Sequence, residues 1–243
     1  MIFFATGAPG VIGAALMRRL WADPAWAGVR FLLAGRKPEA LAALVDEARD
    51  FGIEAEALAL DLADRHAWAG ALERIAQAGP VKGFALVAGA NHDTSLGKLE
   101  EAAWDQVWSV NTGFHARFLQ SLSGPGALAP GARGVLVGSI VGSRGNHGQT
   151  AYAAAKGTLL DLLPLAPRGL RLNVLLPPLV DSPLLANLSD EARIRLFKNR
   201  LMQDPDPAKS CAEAGAFLLG DTAGYVHRQA FHADSRVTVL GWD

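Results

Sequence analysis

One cysteine, Cys211, stands in a chain of 243 residues. An internal disulfide framework is therefore excluded, and the chain suits a reducing compartment. Net charge is nearly absent as well: 23 Lys and Arg face 24 Asp and Glu, a formal balance of −1. Nothing in that balance draws the chain towards nucleic acid or an anionic membrane surface. The six histidines show no HxxxH or Cys/His spacing, so no metal site is expected. No apolar run approaches the roughly 20 residues of a membrane span. The opening MIFFATGAPGVIGAALM is apolar but lacks a basic flank, and Gly7, Pro9 and Gly10 interrupt it, which argues against a secretory signal. A soluble, cytoplasmic globule is expected, of a length that suits one α/β domain. Tyrosine is rare too: there are two, and one lies in the stretch AYAAAK, residues 151 to 156.

What the chain does have is alternation. Short aliphatic runs occur at IFFA (2–5), VRFLLA (29–34), AEALAL (55–60), GFALVA (83–88), GVLVGS (134–139), RLNVLL (171–176) and QAFHA (229–233). Their nearly unbroken apolar character predicts parallel strands buried on both faces. Ala/Leu-rich helical patterns separate them, among them EEAAWDQVWSVNTGFHARFLQSL and AYAAAKGTLLDLL. The pattern predicts an α/β, doubly wound parallel sheet of about seven strands, in one domain over 1–243. Residues 178–210 break the alternation. An insertion after a strand's carboxyl end falls where such sheets bind ligands, so this stretch is expected to form a small helical lid.

Three local motifs carry chemistry. The first strand runs into TGAPGVIG (6–13), with Gly7, Gly10 and Gly13 at a βα junction. Glycines there allow a tight turn, close approach of a pyrophosphate and close helix packing, so the context favours dinucleotide binding over a mere tight turn. The second strand ends LAGRKPE (33–39), with no acid at 34 to 36 and with Arg36 followed by Lys37. An acid there would hold ribose hydroxyls, whereas an arginine accommodates a 2′-phosphate; NADP is expected over NAD, with a solvated basic turn as the plain alternative. Tyr152 and Lys156 are four residues apart on an alanine-rich helix and share a face. A cation beside a phenol favours the phenolate, so the Tyr152 pKa is expected below its ordinary value of about 10. By itself the pair also describes a half-buried tyrosine and a snorkelling lysine.

In their order and spacing these motifs resemble the short-chain dehydrogenase/reductase family, in its shorter, non-extended branch, over essentially the whole chain. Asp61-Leu62 matches the family's adenine-contacting position. Asn111 in WDQVWSVNTG matches its asparagine, Ser139 lies at the family's spacing of 13 residues before Tyr152, and Lys156 completes YxxxK. NVLLPPLVDSP (173–183) and YVHRQAFHAD (225–234) resemble its closing segments. The resemblance implies a Rossmann fold and a hydride exchanged between a nicotinamide and a carbonyl or alcohol. It implies cofactor contacts from Gly7, Gly10, Val11, Ile12 and Gly13 in the first turn and from Arg36, Asp61 and Leu62 at the next two strand ends. Ala88 and Gly89 after the fourth strand, Pro177 after the sixth, and Tyr152 and Lys156 complete that expectation. Tyr152 would be the acid, Lys156 its cation and a ribose contact, Ser139 the donor to the carbonyl oxygen, and Asn111 the holder of a relay water.

The chain is similar to the β-ketoacyl–carrier-protein reductases, which implies a 3-oxoacyl thioester substrate and an acidic acyl carrier partner. The run RIRLFKNR (193–200), with Arg193, Arg195, Lys198 and Arg200, fits such a partner and equally fits a solvated helix face. Leu184, Leu185, Leu188 and Phe197 fit either an acyl pocket or core packing. The alternatives are a dehydrogenase of a small alcohol, sugar or secondary metabolite, and a non-catalytic dinucleotide sensor. Four departures stand out. Val11 replaces a glycine of the shorter branch, and VAGAN (87–91) stands for NNAG without an amide to brace the sheet. Pro178 replaces a glycine. Pro164 is expected to end the helix after Lys156 early, which puts in question a homo-oligomer built on that helix.

Overall fold

The computed structural model describes residues 1–185 and 204–233. Seven strands, β1 (Ile2–Thr6), β2 (Arg30–Gly35), β3 (Ala55–Ala59), β4 (Val81–Leu86), β5 (Leu128–Val137), β6 (Arg171–Leu176) and β7 (Ala230–His232), form one sheet in the order β3-β2-β1-β4-β5-β6-β7. Every pairing is parallel. All five residues of β1 are buried. Ile2 and Phe4 pack to one face and Phe3 and Ala5 to the other, as the period of two requires. On the Phe3 side lie α1 (Val11–Trp21), α2 (Pro38–Asp50) and α8 (Pro207–Leu219), whose buried Cys211 faces this layer. On the Phe4 side lie α3 (Ala67–Ala78), α4 (Glu101–Trp108), α5 (Phe114–Ser121) and α7 (Thr150–Leu162). A short α6 (Ile140–Arg144) precedes α7. Among the described residues no helix is long and apolar enough to cross a membrane.

The strands follow the aliphatic runs, except that β5 begins at Leu128, six residues before its run, and two further shifts are instructive. β4 stops at Leu86, so Val87 to Gly89 form a turn rather than strand. β5 stops at Val137, so Ser139 is not the end of a strand but the N-cap of α6. The long helical pattern at 100–122 is also not uniform: a π turn at Ser109–Gly113 separates α4 from α5. α7 does end at Leu162, before a 3₁₀ turn that contains Pro164. In the 178–210 stretch, residues from Pro207 onward belong to α8. Residues 186–203, with Leu188, Phe197 and the basic run 193–200, lie outside the described residues.

The chain runs outward from β1 to β3 and then returns to β4 on the other side of β1. The connections leaving the carboxyl ends of β1 and β4 therefore diverge, and the crevice between them is where such sheets hold ligands.

Candidate active site

The turn after β1 is shaped by close approach. Gly7 has φ +63°, and a Cβ there would lie 2.7 Å from the Ala88 nitrogen. A Cβ on Gly13 would lie 2.3 Å from the Gly7 oxygen. Neither position tolerates a side chain. Gly10 donates to the Gly7 carbonyl (3.0 Å) and caps α1 without any side chain, leaving the first-turn N–H groups around Val11, Ile12 and Gly13 open to an anion. The turn is thus a cradle that fits a pyrophosphate.

Next to it, Gly35 packs on Pro9, where a Cβ would come within 3.0 Å of the proline ring. This places Arg36 at the rim of the cradle. It is exposed and makes no hydrogen bond or ion pair with any described residue. The Leu60 N–H bonds the Gly35 carbonyl at 2.9 Å, bringing Asp61 and buried Leu62 to the same edge. Asp61 accepts from Ala63 N–H (3.0 Å), which fixes its side chain in a tight turn.

Across the crevice, the π turn, the N-terminus of α6 and α7 bring the other group together. Tyr152 and Lys156 are 8% and 3% exposed, and Asn111 is fully buried. Lys156 Nζ donates to the Val137 carbonyl at 2.7 Å and lies 5.9 Å from the Tyr152 ring centre. Burial pushes the Tyr152 phenol up to about 12; the Ser139 hydroxyl pulls it down and Asp93 pushes it further up. Burial pushes Lys156 down to about 7. The expectation that Lys156 depresses the phenol is therefore overturned. Loss of water disfavours both charged forms and is the largest influence on each. At neutral pH the phenol holds its proton, ready to give it.

Asn111 sits in the π turn. Its amide donates to Ala90 O (2.7 Å) and Val107 O (2.8 Å), and its Oδ1 accepts from Ala90 N–H (3.4 Å). It thus braces the 88–91 turn, which has no asparagine pair of its own, and Thr6 Oγ1 helps by accepting from Ala88 N–H (3.3 Å). Gly89 faces both Asn111 Oδ1 and Lys156 Nζ, at 3.3 and 3.7 Å from where its Cβ would be. Pro177 follows β6 and is half-buried.

Several residues here carry no strong signal in the sequence. A Cβ on Gly142 would stand 2.6 Å from the Lys156 carbonyl carbon, and one on Gly157 would stand 2.9 Å from Gly142 O. That backbone crossing sets Ser139 beside Tyr152. Thr112 Oγ1 donates to Ala155 O (2.6 Å), tying the π turn to α7. Asp93 accepts from Asn91 Nδ2 (2.8 Å) and Gln149 Nε2 (2.9 Å), while Gln149 accepts from Asn146 (2.8 Å). Asp93, the acid of this polar clip, acts on the phenol. Gln149, one helical turn before Tyr152, is the one member whose position hints at the site.

Residues 2–193 match the short chain dehydrogenase family. The chain is 28% identical over 189 residues to a 3-oxoacyl-[acyl-carrier-protein] reductase of Escherichia coli (strain K12), covering 75% of this chain and 78% of that relative. A solved structure of a 3-oxoacyl (acyl-carrier-protein) reductase from Agrobacterium tumefaciens C58, with NADP bound, is similar at a TM-score of 0.83 and 27% identity. It covers 97% of this chain and 94% of its own. A short chain dehydrogenase from Burkholderia cenocepacia J2315 in complex with NADP gives a TM-score of 0.84 at 26% identity, over 97% and 96% of the two chains. The family match spans most of the chain, and its fold sets a glycine cradle opposite a buried tyrosine and lysine; the chain belongs to the short-chain dehydrogenase family of oxidoreductases.

Proposed function

We propose that this chain reduces a carbonyl group with NADPH, and that a 3-oxoacyl thioester is its substrate. The observation that carries the reaction is the burial of Tyr152 and Lys156 together, with Ser139 beside the phenol, facing the glycine cradle across one crevice. A protein that only sensed a dinucleotide would gain nothing from a buried lysine, which is costly to desolvate. When bound, NADPH would supply the hydride that the carbonyl carbon takes up. Tyr152 gives the proton that the carbonyl oxygen then needs, and the Ser139 hydroxyl donates to that oxygen as charge develops on it. Lys156 holds a positive charge beneath the site and offers its remaining N–H groups to the ribose. The cradle at Gly7 to Gly13 holds the pyrophosphate, with Asp61 and Leu62 at the adenine. Ala88, Gly89 and Pro177 leave room for the nicotinamide half. Arg36 pairs with the 2′-phosphate, in keeping with the NADP complexes of similar structures.

The thioester assignment draws on relatives that bear the name of acyl-carrier-protein reductases. The basic run 193–200 is the segment whose charge suits an acidic carrier. A second class, a small hydroxylated ketone, is favoured by the polar clip of Asp93, Gln149 and Asn146. NADPH consumption should be followed with a 3-oxoacyl group on a carrier protein, the same group on a short thioester, and small hydroxyketones. The carrier form should be preferred at low salt, an advantage that shrinks as salt screens exposed charge. Tyr152→Phe should bind NADPH normally yet lose about 10²–10⁴-fold in kcat. Near-normal turnover by that variant would remove the tyrosine from the mechanism, and exclusive use of hydroxyketones would replace the thioester.

A further inference from the structure

His115 lies four residues after Asn111, on the first turn of α5, and is fully buried. Neither of its ring nitrogens has a hydrogen-bond partner among the described residues. The Leu86 carbonyl at the end of β4 acts on the ring without completing hydrogen-bond geometry. A neutral imidazole always presents one donor and one acceptor. Here the acceptor faces no donor among the described residues, a deficiency that burial makes costly. Close by is the reverse deficiency. The Lys156 ammonium has three donors, and among the described residues one of them is used, on Val137. His115 is within electrostatic reach of Lys156. Leu86 and Leu136 pair in the sheet, so the strand ends beneath the two side chains are adjacent. The Thr112–Ala155 bond stitches the same seam.

We propose that His115 is a positioning residue for Lys156: its unpaired nitrogen accepts from an internal water that in turn accepts from the Lys156 ammonium. Buried polar groups without protein partners are the usual holders of such waters. The water solvates the ammonium from the side away from the crevice, so Lys156 stays charged and aimed while its remaining N–H faces the site. The imidazole stays neutral throughout, since burial and the neighbouring cation push His115 down to about 3. Among the described residues, the charged and titratable groups that act around the seam are Tyr152 and Lys156 on α7, His115 on α5 and Asp93 in the loop after β4; β5 supplies the Val137 carbonyl. This inference rests on Lys156 serving the reaction proposed above.

The test compares His115→Leu with His115→Gln, which keeps an acceptor. The Lys156 Nζ titration, read by ¹⁵N NMR, should fall by about one unit in the leucine variant and stay near the wild type in the glutamine variant, because only the former loses the water. The alkaline limb of kcat should move down by the same amount, while NADPH affinity holds. An unmoved Lys156 titration in His115→Leu would overturn the proposal, as would equal shifts in both variants. Should the leucine variant not fold, a high-resolution crystal structure of the wild type decides: no water between His115 and Lys156 sinks the idea. Because the titration and the density need no substrate, they answer separately from any failure to find carbonyl reduction.

Discussion

Arg36 and Lys156 are both cations at the site, yet they stand in opposite surroundings. Arg36 is exposed at the rim of the glycine cradle and pairs with none of the described residues. Its charge is available to a phosphate in bidentate geometry. Arg36→Asp should therefore weaken NADPH and strengthen NADH, since an aspartate repels the 2′-phosphate and accepts from a free ribose hydroxyl. Titrating both nucleotides against both proteins checks this, and equal wild-type affinities would reassign the residue to a solvated turn. Lys156 is buried and burial pushes it down to about 7 from 10.5. Between those values the unfolded chain binds more protons at this residue than the folded one, so its contribution to stability rises with pH across that window. Tyr152, pushed up from 10 to about 12, has the opposite sign and acts only above its ordinary value. Lys156→Met should thus be more stable than the wild type near pH 7, with the gap narrowing towards about pH 9. Thermal unfolding across that range measures it; a gap independent of pH would show that the lysine is solvated.

Among the elements, α6 and α7 show how two helices fix a site by nearly touching. The Gly142–Gly157 crossing leaves no space for a methyl group against the Lys156 backbone. Gly142→Ala should separate the helices, cost about 1–3 kcal/mol of stability and shift Ser139 from Tyr152. A lower melting temperature together with a loss in kcat would be the result; unchanged kcat would mean that the crossing does not set the serine. Glycine in a helix has many causes, so this contact was not legible in the sequence. The Tyr152–Lys156 pair was legible because helical spacing is a local property. The strands were legible because burial on both faces leaves unbroken apolar runs such as IFFA. The π turn was not, for it depends on Asn111 reaching Ala90, twenty-one residues earlier in the chain. The direction of the phenol's pKa runs against the helical spacing for a related reason. Spacing shows the cation but not the loss of water, which is a property of the packed whole.

At the scale of the molecule, two apolar layers sandwich the sheet, and Cys211 sits in the layer beneath α1 and α8. It is 1% exposed, and burial pushes its thiol up to about 12. The reactive form of a thiol is the thiolate, so the native protein should be inert to thiol reagents at neutral pH. Modification then waits for α8 to lift from the sheet, and its rate reports the free energy of that opening. A single cysteine thus makes the native chain its own unfolding clock. Under conditions where opening is fast and reversible, saturating NADPH should slow labelling by the factor that its affinity dictates. Labelling as rapid as that of a free thiol in the folded protein would place the cysteine at the surface.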